Sequence, residues 1–98
     1  MTKPELTHEE ATAACFAIAK SVGEHHARRI MTRTVMFALD PDDMEAMVHE
    51  SVADFRAFLL RGGADPHDAD VAAQHVYVAL VKEGARLSRT MTWEAGNA

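Results

Sequence analysis

AIAKSVGEHHARRIMTR, residues 17–33, decides how many helices the chain forms. SVGE has the form of a helix start: Ser21 offers a capping hydroxyl, and Glu24, three residues on, completes a capping box. Gly23 is the weakest ordinary residue inside a helix, costing about 1 kcal/mol relative to alanine. The apolar phase also changes here. Advancing 100° per residue, the stripe Ala11, Ala14, Cys15, Ile18 and Val22 lies nearly opposite Ala27, Ile30, Met31, Thr34 and Ala38 if the helix is straight. A break or kink at Gly23 turns both stripes toward one core and is the preferred expectation. The other solution is one unbroken helix that buries opposite sides against different subunits.

The remaining helix boundaries carry clear chemistry. THEE sets Thr7 as a cap with Glu10 three residues later. DPDD and DPHD each place an aspartate at the cap (Asp40, Asp65) and a proline at the first helical position (Pro41, Pro66), with acids in the first turn, where the helix dipole favours them. Gly62-Gly63 closes the helix before it. The expected fold is all-α, a compact bundle of four helices at about 8–21, 24–39, 41–61 and 66–89, in one domain over 1–98 with loose ends at 1–6 and 94–98.

The faces of these helices assign the core. In 41–61, Met44, Met47, Val48, Ser51, Val52, Phe55, Phe58 and Leu59 share one arc, with Glu45, His49, Ala53 and Arg56 outside it. Cys15 falls inside the first arc, which makes it a small core residue. In 24–39, Phe37 joins the inner side, while His25, Arg29 and Arg33 share the outer one, flanked by His26 and Arg28. Adjacent histidines diverge by 100°, so His25 and His26 do not converge on one ion, and Glu24 is spaced to pair with Arg28.

The segment 66–89 is apolar on two sides. Ala69, Ala72, Ala73, Val76, Tyr77, Leu80 and Leu87 form one arc; Val71, Gln74, Val78, Val81 and Ala85 repeat at 3, 4, 3, 4 spacing on the other, as in the seam of a helix pair. Such a helix is either central in its own fold or shared with another chain. HVYVALV also has the β-branched content of a strand, but Asp65-Pro66 and the surrounding alanines favour a helix. Phe16 falls off the first arc and Trp93 lies beyond the last, which adds both to the candidate interface, although the favoured reading has Trp93 fold back over its own bundle and Phe16 fill the crevice beside the second helix.

Composition narrows the function. A net charge of −5 argues against a protein that coats polyanions or acidic lipid. One cysteine excludes an internal disulfide framework and a cysteine zinc site, so a reducing cytoplasm is the expected setting. No run is long and apolar enough to span a bilayer, and no membrane partner is expected. Neither a phosphate loop nor a nucleophile elbow occurs, and the Glu45/His49 pair lies on an outer side, so no catalytic, cofactor or metal residues are assigned. Arg28, Arg29 and Arg33, with Lys82, Arg86 and Arg89, form a possible basic patch. The acids Asp65, Asp68 and Asp70 at the start of the following helix oppose a recognition-helix reading, so nucleic acid is not the expected partner.

The resulting expectation is a regulatory or adaptor protein, not an enzyme, that acts by protein association. It forms a homodimer or modulates a partner through Val71, Gln74, Val78, Val81, Ala85, Phe16 and Trp93. The alternatives are a small ligand- or metal-binding helical protein, with a pocket between Met44, Met47, Phe55 and Tyr77, or a weak DNA-binding regulator.

Overall fold

A computed structural model describes residues 7–97, with side chains for 7–90. Residues 1–6 and 98, and the side chains of 91–97, lie outside the described residues, and with them the expectation of a loose start and any role of Trp93; the last helix, expected to end near 89, runs on to Asn97.

Three helices, not four, account for the described chain: α1 His8–Phe37, α2 Pro41–Arg61 and α3 Pro66–Asn97. Three of the four N-caps read from the sequence form. The Thr7 hydroxyl accepts from the Glu10 amide at 3.1 Å and donates to the Glu10 carboxylate at 2.9 Å. Asp40 accepts from the Asp43 amide at 2.9 Å, and Asp65 from the His67 amide at 3.0 Å. α2 ends with Gly62 and Gly63 amides donating back to Phe58 and Leu60, and Gly63 takes the left-handed conformation at φ 93°. HVYVALV is helical throughout.

The correction to four helices lies at Gly23, where α1 runs on without a break. Gly23 is buried where α1 crosses α3. A Cβ there would stand 2.6 Å from the Val76 carbonyl oxygen, 2.7 Å from Ala79 Cβ and 2.9 Å from the Leu80 nitrogen. The glycine lets two helices approach closely, and packing along a long crossing outweighs a local propensity cost of about 1 kcal/mol. SVGE is therefore a capping pattern in sequence only.

Uninterrupted, α1 faces its neighbours through Ala19, Gly23, Ala27 and Ile30, spaced 4, 4 and 3 residues apart. This corrects the arc expected before the glycine: Ala14, Cys15 and Ile18 are exposed, and Ala11 and Val22 are half-buried. Cys15 is a surface thiol, not a core residue. Past the glycine, Ala27 and Ile30 are buried as expected. Phe37 and Ala38 are exposed, however, because the helix stops at Phe37 and Ala38 forms a left-handed cap at φ 50°.

On α3 the buried set is Ala69, Ala73, Val76 and Leu80, the centre of the expected main arc. Phe16 meets His75, Gly23 meets Val76 and Leu80, and Arg28 meets Glu83, so residue numbers rise together and α1 runs parallel to α3. α2 lies antiparallel to both: Arg56 pairs with Asp70, His49 stacks on Tyr77, and Met47 and Val48 pack against Ala27, Ile30 and Leu80. The α2 arc is half-buried except for Ser51, which is buried, and Phe58, which is exposed. The molecule measures 58 × 25 × 20 Å, a length set by α1 and α3.

Candidate interaction surface

α2 covers one side of the α1/α3 pair. The opposite side is an open trough, and the helical period explains its lining. Phe16, Lys20, Glu24 and Arg28 recur every four residues along α1 and share one flank; His75, Val78, Ala79 and Lys82 line the facing flank of α3. Because alanine and glycine bring the helix backbones together, the larger side chains at the margins stand outside the contact and flank a cavity of about 460 Å³. A second cavity of about 370 Å³ continues the trough past Arg28, between Met31, Val35, Met36 and Leu87.

Charge rims this apolar floor. Lys20 lies 3.7 Å from Glu24, and Arg28 reaches across to Glu83 at 3.8 Å. Arg86 also bonds to Glu83. One largely buried carboxylate thus serves two guanidiniums, and Glu24 pairs with Lys20, not with Arg28 as its spacing suggested.

The sequence-assigned residues fall into three groups. Val78 and Phe16 border the first cavity at 47% and 41% exposure, and the Phe16 ring sits 4.2 Å from His75. Val81, at 45%, is on the outer side of α3 with exposed Gln74 and Ala85, while Val71 is half-buried. The possible basic patch divides: Arg28 turns to α3, where Lys82 and Arg86 also line the trough, whereas Arg29 donates across to the Ser51 hydroxyl of α2 at 3.4 Å and Arg33 is exposed.

Sequence reasoning missed Lys20, Glu24, His75, Ala79 and Glu83 as neighbours in one trough. The four-residue row Phe16, Lys20, Glu24, Arg28 was a usable signal for it, but only on a helix taken as continuous through Gly23.

His26 lies on the other flank of α1, toward Asp54 of α2, with its Nδ1 buried and without a hydrogen-bond partner. Burial pushes its pKa below the usual 6.5; Arg29 and His25 add to the depression, and Asp54 opposes it. Glu45 and His49 stand 3.5 Å apart, both exposed, and among the described residues no group of three or more His, Cys, Asp or Glu side chains could hold a metal ion. Neither cavity is lined by Met44, Met47, Phe55 or Tyr77. Among the described residues, no helix is long and apolar enough to cross a membrane. Compared with protein-family models, with curated proteins and with solved structures, the chain matches none.

Proposed function

We propose that the protein is a small regulatory or adaptor module that works by associating with another protein chain, and that its working surface is the α1/α3 trough together with the outer valines of α3. The observation that carries this reading is the distribution of large apolar side chains. Among the described residues, only Ile30, Val76 and Leu80 are buried alongside four alanines, while nine large hydrophobic side chains are exposed. Scattered exposed apolar residues are ordinary, but Phe16, Val78 and Val35 lie along one trough. Covering what remains exposed of each contributes on the order of 1 kcal/mol.

On the outer side of α3, off the trough, a second copy as the partner is favoured by one separate observation. Val81 lies off the trough, on the Val71, Gln74, Val78, Val81, Ala85 seam, whose 3, 4 spacing suits pairing with an identical helix.

The test pairs light scattering across concentration with titration of a panel of amphipathic helical peptides, for wild type and for Val78→Glu with helicity checked by circular dichroism. Self-association or peptide binding that Val78→Glu removes without loss of helix supports the reading. A wild-type monomer that binds no peptide overturns it.

A further inference from the structure

We infer that the α1/α3 trough holds a single amphipathic helix of another protein, one whose apolar face is flanked by Asp and Glu. The inference rests on the association reading above and adds the chemistry of the partner. Its shape argument is length: Phe16 to Val35 spans 19 residues of α1, or about 28 Å at 1.5 Å per residue, which a helix of about 19 residues covers. Two cavities along that length, separated at the Arg28–Glu83 bridge, suit apolar anchors placed near the two ends of one helical face.

The sign of the partner follows from charge. Between Asp40 and Asp70 there are nine acids against two arginines, net −7, which leaves +2 for the rest of a chain of −5. The trough holds that excess. Its rim carries four cations, Lys20, Arg28, Lys82 and Arg86, against two carboxylates, Glu24 and Glu83. Glu83 is divided between two arginines, and Lys82 has no ion pair among the described residues. A second copy presenting this same face brings like-charged rims together, whereas an acidic helix meets unspent positive charge over an apolar floor.

The experiment uses the full chain and three fluorescent helical peptides of about 19 residues, identical in their leucines and flanked by Glu, by Gln or by Lys. Anisotropy titrations at low and high salt are read for wild type, Val78→Glu and Lys82→Glu, with circular dichroism and light scattering on each protein. Expected is at least tenfold tighter binding of the Glu peptide than of the Lys peptide. The preference narrows in high salt and weakens or reverses in Lys82→Glu, and Val78→Glu weakens all binding. Equal binding of the three peptides overturns the acidic partner while leaving the association reading standing. No peptide binding, with a wild-type dimer that Val78→Glu dissolves, assigns the face to a second copy and also overturns the inference. No binding and a monomer defeats both.

Discussion

Gly23→Ala is the sharpest probe of how this fold is held together. In an open helix the change stabilises by about 1 kcal/mol, since glycine is the poorer helix former. At Gly23 the added Cβ meets a carbonyl oxygen at 2.6 Å, a Cβ at 2.7 Å and a backbone nitrogen at 2.9 Å, where ordinary contact is 3.4–4 Å. None of these atoms is the end of a flexible side chain, so α1 and α3 must separate by roughly 1 Å, and a gap of that size forfeits up to half of each dispersion contact along the crossing. Overpacking of this kind costs about 3 kcal/mol, the upper end of the usual range. Setting the helix-propensity gain against it leaves a net loss of about 2 kcal/mol, or ~8–16 °C in Tm for a domain of this size. Gly84→Ala is the matched control on α3, because a Cβ there meets nothing within 4 Å; it should stabilise by about 1 kcal/mol. Thermal and urea unfolding followed by circular dichroism read both variants. If Gly23→Ala stabilises as Gly84→Ala does, the close crossing is refuted.

Three further outcomes are expected. Asp40→Ala and Asp65→Ala each remove a helix cap and should cost about 1 kcal/mol, adding nearly independently in the double variant because they cap different helices; a loss below 0.2 kcal/mol in urea unfolding contradicts the capping geometry. The fold disfavours the protonated form of His26, so the stability tied to its neutral state is present above the unfolded pKa of 6.5 and is lost as pH falls through the lower folded value. The urea midpoint should therefore drop on acidification, and an unaltered drop in His26→Leu removes His26 as its source. Cys15, being exposed, should react with a thiol reagent in the native protein nearly as fast as in urea; strong protection would return it to the core.

What was legible in the sequence was chemistry confined to a few neighbouring residues. Thr7, Asp40, Asp65 and the Gly62-Gly63 pair act on amides and carbonyls within four residues of themselves, and each does in the fold what its local pattern implies. SVGE has the same local form, but its outcome depends on Val76, Ala79 and Leu80, more than fifty residues away. The wheel failed before Gly23 for a related reason: it weighted Ile18 and Cys15 above Ala19 because they are more apolar. A close crossing selects small residues, so Ala19 went inside and Ile18 stayed out at 57% exposure. On α3 the centre of the main arc emerged correctly because Val76 and Leu80 are both large and central, but Tyr77, placed in the same arc, stays 43% exposed where it stacks on His49. The trough was only partly legible. Val78 and Phe16 stood out as apolar residues off their arcs, whereas the Arg28 to Glu83 bridge joins helices whose relative placement the sequence did not contain.

The face of α1 and α3 turned away from α2 is proposed as a working surface and not part of the protein's own core. Methyl NMR of the valines in the full-length wild-type protein, recorded while the Glu-flanked helical peptide is titrated in, addresses it most directly. Val78 and Val35 should shift while buried Val76 stays in place, and a soluble paramagnetic agent should broaden Val78 in the free protein but not in the complex. A Val78 signal indifferent to both additions, or one as shielded as Val76 in the free monomer, contradicts it.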